Sequence, residues 1–436
     1  MRIAVIGTGI AGNAAAWILS KRYPVTVYER EDRPGGHSHT VTINYDGTPI
    51  AVDIGFTVYN ELNYPDLTAM FDRLGVTTRE SCMSFAVTAD GGRFEWKGGG
   101  DNWRQLTAGL FAQPRNLFSP SYLWMLRDIL TFNRESVQDY AAGELTGMSL
   151  GEYFRRKNFS PRLLSDYLAP MGAAIWSTPA RDMLDFPAEN FVAFFSNHCL
   201  LQYERPVWRT VSGGSRNYVE RLTAAFADCI RLGCAVTIER KARGVVVNDS
   251  HGGSETYDHV VIAAHSDQAL RMLTDADDCE RAVLGAIGYS PNTIYLHRDT
   301  RLMPKRRGVW ASWNFLRWAR QGTALNDVAV TYWMNELQGI DKAKPLFVSL
   351  NPPFAPDPKL TFGQYICEHP QYDAAAFAAQ RQLTDIQGKR HTWFCGAWTG
   401  YGFHEDGIRS GLAVAEALGA TAPWRETPAE MAEAAE

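Results

Sequence analysis

The stretch Met1–Gly36 limits the fold more than any other part of the chain. Arg2-Ile3-Ala4-Val5-Ile6 is a short apolar run suited to a buried parallel strand. Gly7-Thr8-Gly9-Ile10-Ala11-Gly12 follows at once and opens a helical pattern through Ser20. Val25-Thr26-Val27-Tyr28-Glu29 reads as a second strand, ending in an acid 20 residues after Gly9. This is the spacing of a dinucleotide-binding βαβ unit. Gly7 permits the tight turn, Gly9 lets backbone approach a pyrophosphate, and Gly12 lets the helix pack close to the strand. The free N–H groups at the helix start, around Ile10 and Ala11, suit phosphates. Glu29 is placed to accept from ribose hydroxyls. A glycine-rich turn in an ordinary α/β protein would leave the position of Glu29 unexplained.

Composition narrows the class. The 436 residues suffice for two or three domains or one large discontinuous one, and 45% apolar with 21% charged residues is a globular balance. A net charge of −5 argues against nucleic acid as the main partner. The seven cysteines (Cys82, Cys199, Cys229, Cys234, Cys279, Cys367, Cys395) are scattered, odd in number and lack a C-x-x-C. They form neither a disulfide framework nor a zinc motif, so no metal is expected and reduced thiols point to the cytoplasm. Met1 leads straight into the first strand, which leaves no room for a signal peptide. No run approaches the roughly 20 apolar residues of a spanning helix.

The next residues select the cofactor. Glu29-Arg30-Glu31-Asp32-Arg33-Pro34-Gly35-Gly36-His37 resembles the extended fingerprint of the flavin amine oxidase, phytoene desaturase and protoporphyrinogen oxidase superfamily. In that family an Arg and a Gly-Gly pair follow the ribose-binding acid. The resemblance implies FAD rather than NAD, with Arg30 and Arg33 adding positive charge and Gly35, Gly36 and His37 lying along the cofactor. It also implies the fold class: α/β, with a discontinuous Rossmann-like FAD-binding domain of amine-oxidase type and an α+β substrate domain. The expected division is 1–83, 205–285 and 389–420 for FAD, 84–204 and 286–388 for substrate, and a frayed Ala/Glu-rich tail over 421–436.

Further along, Val41–Tyr45 and Ile50–Asp53 read as a hairpin turning at Asp46-Gly47. In the superfamily the Asp-x-Gly segment that follows passes beside the isoalloxazine ring, so Gly55, Phe56, Thr57 and Val58 would line the flavin; a plain strand exit is the other reading. Tyr64–Gly75 reads as a helix with a glycine stop. Residues 103–134 are rich in aromatics, Leu and Arg. They read either as a helix covering the substrate domain or as a basic amphipathic stretch at a membrane surface. The small-residue run Pro170–Ser177 suggests close helix packing or a cavity wall. In Cys234–Ile238, Val236 matches a family position whose backbone contacts adenine. Tyr332 and Trp333 point to opposite faces of a strand, so at most one lines a pocket. Lys305-Arg306-Arg307 reads as a solvated loop or a head-group contact.

A second motif lies near the other end. His391–Trp398 is a strand ending at Gly396, followed by Gly400–Phe403 and a helix from His404. It resembles the superfamily's C-terminal flavin motif. The resemblance places Gly396 near the diphosphate, and Asp406, Gly407 and Ile408 near the ribityl chain and the pyrimidine edge, where N–H groups stabilise negative charge. His404-Glu405-Asp406 lacks the supporting cluster that a metal site needs.

Within the superfamily, Asp53–Asn60, Ala174–Ser177 and Trp398–Gly411 are most similar to bacterial flavoproteins related to the flavin region joined to plant cyclopropane fatty-acid synthases. That likeness implies a dehydrogenase or desaturase of methyl-branched or unsaturated acyl chains, of the furan fatty-acid type. It also implies an apolar substrate, a lipid methyltransferase partner and contact with the inner membrane face. Amine or other small-molecule oxidation, and a non-catalytic flavin-bound partner of a methyltransferase, are the alternatives. The amine oxidases use a Lys near the flavin, and no matching Lys motif occurs here. No base is identified; Tyr59, Trp176, Tyr401 and His404 are the candidates for the reacting face.

Overall fold

The computed structural model describes residues 1–99, 103–176, 182–197, 206–319 and 326–426. Its organising layer is a five-stranded sheet in the order Ile230–Arg231, Val25–Tyr28, Ile3–Ile6, His259–Ile262, Thr392–Phe394, parallel throughout. All four residues of Ile3–Ile6 are buried, as the central strand of a sheet covered on both faces requires. The helix Ile10–Leu19 is buried along its whole length and packs against the C-terminal helix His404–Ala417. Glycines set that crossing: a Cβ on Gly411 would stand 2.2 Å from the Ala11 carbonyl oxygen, and one on Gly407 2.6 Å from Ile10 Cγ2. The two helix N-termini are thereby drawn together at one end of the sheet. A three-stranded antiparallel sheet, Val236–Arg240, Val245–Asp249 and Ser254–Tyr257, stands beside it.

The second large layer is a seven-stranded sheet ordered Thr361–Gln371, Gly288–His297, Phe347–Leu350, Asn326–Trp333, Trp313–Ala319, Phe85–Ala89, Phe94–Gly98. It draws on two stretches far apart in sequence, joined where Trp313–Ala319 pairs in parallel with Phe85–Ala89. Helices Pro120–Ala141, Leu150–Lys157, Ala169–Trp176 and Ala188–Asn197 belong to the same side of the molecule, around an aromatic core that includes Tyr122, Phe132, Tyr153, Phe191 and Phe195. Among the described residues no helix is long and apolar enough to cross a membrane.

Several local expectations meet different outcomes. The hairpin forms as Thr40–Tyr45 with Thr48–Asp53, and the helix after it as Pro65–Leu74, stopped by left-handed Gly75 at φ 62°. The start of the tail is docked rather than frayed: Trp424 stacks on Trp17 at 5.8 Å, and its indole N–H donates to Asp66 at 2.9 Å. The basic cluster at 305–307 is not merely solvated. The backbone N–H of Lys305 and the guanidinium of Arg306 both donate to Glu95, a fully buried carboxylate.

Candidate active site

Between the two sheets lies one cavity of about 1120 Å³. At one end is the glycine loop; at the other is an apolar chamber. Gly7, Gly9, Ile10, Ala11, Glu29, Arg30, Arg33, Gly36, His37, Gly55, Phe56, Thr57, Val58, Gly396 and His404 all line it. Residues separated by hundreds of positions therefore meet on one wall.

The loop is built as its sequence requires. Gly7 has φ +101°, and a Cβ there would stand 2.6 Å from the Ala263 carbonyl oxygen. A Cβ on Gly12 would stand 2.0 Å from the Gly7 carbonyl oxygen. Around the Cβ direction of Gly9 nothing lies within 4 Å. The first helical N–H groups after Gly9 have no side-chain cap, which leaves donors for an anion. The Glu29 carboxylate accepts from the Thr8 N–H at 2.8 Å, the Thr8 hydroxyl at 2.5 Å and the Glu31 N–H at 3.0 Å. A carboxylate has about four acceptor positions, so this fixes its orientation at the mouth and leaves little beyond one lone pair for a sugar hydroxyl. Arg33 donates to the Gly36 carbonyl at 3.0 Å and holds the second glycine loop closed on itself.

Other expected residues stand behind the wall. Gly12 and Gly35 set backbone approach without facing the cavity; a Cβ on Gly35 would stand 2.9 Å from the Ser38 carbonyl oxygen. Asp406 accepts from the Tyr401 and Phe403 N–H groups, each at 3.0 Å, and so caps its own helix. Gly407 and Ile408 lie in the crossing with the first helix, off the cavity wall, and Val236 lies in the side sheet, also off it. Tyr59 is buried between Tyr64 and Phe71. Tyr401 packs on Phe194 and Phe377. The side chain of Trp176, and Ser177, lie outside the described residues.

Of the four reacting-face candidates, His404 alone reaches the described wall. Its ring stacks on Phe56 at 3.7 Å, and its Nε2 lies 2.9 Å from the Ser38 hydroxyl and 3.0 Å from the Tyr218 hydroxyl. Burial pushes its pKa down to about 3, with the His37 charge acting the same way, so the imidazole is neutral. Its neighbours in sequence point elsewhere. Glu405 accepts from the Asp66 and Leu67 N–H groups at the start of Pro65–Leu74, at 3.0 and 3.1 Å, while Asp406 caps its own helix. His404-Glu405-Asp406 is therefore three separate structural contacts.

The cavity also carries groups that no local motif announced. His37 lies 6.0 Å from His265 and 5.8 Å from His369, centroid to centroid, and His265 stacks on Tyr289 at 4.4 Å. Although His37 opens onto the cavity, surrounding protein desolvates its ring, and burial with the Arg33 charge lowers its pKa. Burial likewise lowers His39 and His265 to about 4 and His369 to about 3. Donor atoms of His37, Cys367 and His369 come within 4.8 Å of one another, the one such group among the described residues. Burial pushes the Cys367 thiol up to about 11. These residues sit on the loop side of the cavity, so they face whatever occupies the nucleotide site.

The far chamber is apolar. Met83, Phe85, Met171, Phe194, Trp313 and Phe315 are among its walls. Tyr332 faces it, whereas Trp333 turns away and packs edge-on against Trp310 at 5.5 Å. The acids on the cavity wall are Glu29, Glu31, Asp32, Asp53 and Glu368. Three belong to the glycine-loop end. Asp53 is tied up by Thr40, Ser215 and Gln338, and Glu368 lies 3.7 Å from His265. Among the described residues no Lys lines the cavity.

A family model described as flavin containing amine oxidoreductase matches residues 10–331. The chain belongs to that family. Among solved structures, a putrescine oxidase with redesigned cofactor binding aligns with a TM-score of 0.66 at 17% identity, over 96% of this chain and 99% of that one. A CLA-producing fatty acid isomerase from P. acnes gives 0.67 at 15%, over 94% and 96%. Cyclohexylamine oxidase from Brevibacterium oxydans gives 0.63 at 17%, over 96% and 99%. No curated protein matches the sequence. At these identities the likeness is one of fold. Membership of the flavin-containing amine oxidoreductases makes the chain an FAD-dependent oxidoreductase. The open space at Gly9, the uncapped helix N-terminus and the fixed Glu29 carboxylate fit FAD's pyrophosphate and ribose.

Proposed function

We propose that the protein is a dehydrogenase or desaturase acting on the hydrocarbon part of an acyl lipid. The observation that carries this reading is the chamber: aromatic and aliphatic walls and, among the described residues, no Lys, with every cavity acid at the glycine-loop end, where Glu368 lies half-exposed beside His265, except Asp53, which is already engaged. A protonated amine entering such a chamber would lose its hydration without gaining a counter-ion, at a cost of several kcal/mol. A neutral acyl chain gains about 0.8 kcal/mol for each CH₂ it buries there.

Bound in the cavity, FAD supplies a two-electron acceptor for a hydride from an activated C–H. The chain's own residues hold the cofactor, exclude water and orient the acyl segment. The polar groups offered beside the loop end are neutral imidazoles of His39, His265 and His369, which are weak bases. This chemistry therefore favours a C–H already activated by an adjacent double bond, which would lose a hydride to the bound flavin and a proton to one of these imidazoles or to water as the new C=C forms.

The test is the visible spectrum of the anaerobic holoenzyme, titrated separately with detergent-dispersed lipids carrying unsaturated or methyl-branched chains and with putrescine or cyclohexylamine. Bleaching by lipid alone, with a new double bond by mass spectrometry, supports the proposal. Bleaching by amine alone moves the chain to the amine oxidases. A conjugated diene formed without net bleaching would make it a redox-neutral isomerase. Flavin that none of them reduces would favour the partner role beside a lipid methyltransferase.

A further inference from the structure

The helix Pro120–Ala141 has an outer face that the described residues leave uncovered. At 3.6 residues per turn, Leu123, Arg127, Leu130 and Arg134 fall within about 60° of one another. Leu123 is 42% exposed and Leu130 73%, with Trp124 beside them at 56%. The segment entering the helix adds Leu117 at 50% and Phe118 at 81%. The preceding helix Trp103–Leu110 adds Trp103 at 70% and is tied to this one by Tyr122, whose hydroxyl donates to the Leu110 carbonyl at 2.8 Å.

The charge on this surface has one sign. Residues 103–127 contain Arg104, Arg115 and Arg127 and no acid. The acids further along the helix, Asp128, Glu135 and Asp139, are turned at least about 80° round from the stripe. They are also engaged. Asp128 accepts from the Ser160 N–H at 2.8 Å, and Lys157 pairs with Glu135 at 3.2 Å and Asp139 at 2.7 Å. Glu135 additionally meets Arg134 at 3.3 Å, with the Arg134 side chain still 69% exposed. Arg127 lies over the Trp124 ring at 5.0 Å, and Arg104 over Trp103 at 5.5 Å. Large rings with cations on top, and leucines between arginines, match an interface whose outer layer is anionic and whose inner layer is hydrocarbon.

From this arrangement we propose that the surface built by 103–134 docks on an anionic lipid bilayer. The inner side of the same helix makes the placement useful. Tyr122 packs on Trp96 at 6.3 Å, and Trp96 on Tyr167 at 6.3 Å, and Tyr167 lines the cavity. The docking face and the apolar chamber thus share one wall, three side chains thick, so an acyl chain drawn from the bilayer travels a short way. That second part rests on the acyl-chain reading above; binding to the bilayer does not.

The experiment is co-sedimentation of the FAD-loaded protein with phosphatidylglycerol vesicles and with phosphatidylcholine vesicles. The wild type sediments with the first, more weakly with the second, and is released by salt. The combined change Arg104→Gln, Arg115→Gln, Arg127→Gln lowers binding to phosphatidylglycerol by roughly a hundredfold, given about one Arg's worth of surface attraction at each position. The change Phe118→Ser, Trp124→Ser, Leu130→Ser lowers binding to both vesicle types. Both variants keep wild-type flavin content, because the residues are exposed. Wild-type protein that stays in the supernatant with phosphatidylglycerol overturns the inference, as do variants that bind like the wild type. A dimer in sedimentation equilibrium that the apolar change dissociates also overturns it and assigns the face to a second copy. Bleaching by detergent-dispersed lipid is read in parallel and is the same in wild type and variants. If it is absent from all of them while vesicle binding behaves as described, the docking inference stands and the acyl-chain reading alone falls.

Discussion

Gly9 and Gly12 sit three residues apart in one motif, and the structure assigns them opposite kinds of work. Gly9 has φ −63° and ψ 178°, an extended conformation open to any residue, and the space where its Cβ would stand is empty to 4 Å. Gly9→Val should therefore leave the stability of the FAD-free protein within about 0.5 kcal/mol of wild type. The added methyl groups instead occupy the approach to the helix N-terminus. Loss of one charge-assisted hydrogen bond to phosphate is worth about 1.5–3 kcal/mol, so FAD binding should weaken about 10- to 150-fold. Gly12→Ala is the converse. Its Cβ would stand 2.0 Å from the Gly7 carbonyl oxygen and 3.0 Å from Ala263 Cβ, the first about 1.5 Å short of ordinary contact. Backbone must move, at about 1–3 kcal/mol of folding stability. Thermal melting with and without FAD separates the two. At FAD a hundredfold above the wild-type Kd, the ligand adds about 2.7 kcal/mol to the wild type; after a hundredfold loss of affinity it adds about 0.4. Gly9→Val should melt like wild type without FAD and gain almost nothing with it; Gly12→Ala should melt lower in both conditions. A Gly9→Val protein that FAD stabilises as fully as the wild type would refute the placement of the pyrophosphate at this loop.

Arg240, 1% exposed, bonds Asp275 at 2.8 Å and chelates Glu280, itself 2% exposed. Arg240→Met strands that carboxylate and should cost about 3–5 kcal/mol in urea unfolding; a cost below about 1 kcal/mol would contradict the pairing. Burial lowers His297 to about 4, so below about pH 6.5 the unfolded chain takes up a proton that the folded protein refuses. Stability should fall as pH drops from 6.5 towards 4, by up to about 3 kcal/mol from this residue, and His297→Gln should flatten that slope in urea melts at pH 7 and pH 5. Met171→Asp places a carboxylate in the apolar chamber; FAD content should persist while reduction by dispersed lipid slows at least about tenfold in stopped flow, and faster reduction by amines would show that charge selects the substrate.

The nucleotide half was legible because its information is local. A tight turn, a close approach and an acid at a set distance are written within about 30 residues, and the backbone at Gly7, Gly12 and Gly36 meets those demands. Alternation at Tyr332 and Trp333 was legible for the same reason, since a strand sends neighbours to opposite faces. His265, His369 and Cys367 were not. Cys367 and His369 reach His37 because the Thr361–Gln371 strand is brought against the first sheet, and His265 because it follows His259–Ile262, the strand paired with Ile3–Ile6; nothing near them in sequence encodes that meeting. The one available sign was the spacing of Cys367 and His369, two apart on a strand and so on one side of it.

The chamber adds a different lesson about His404-Glu405-Asp406. As a sequence it reads as one polar cluster; in the fold each side chain answers to a different backbone. Glu405 satisfies the start of the Pro65–Leu74 helix, Asp406 the start of its own, and His404 closes the wall against Phe56. Polar residues at the cofactor end are thus largely consumed in holding helix ends and loops in position, which is what a binding site for a large anion requires of its frame. Because the charges are spent there, the remainder of the cavity can be hydrocarbon. A single enclosure can then hold a dinucleotide and an apolar substrate without either end imposing its solvation on the other.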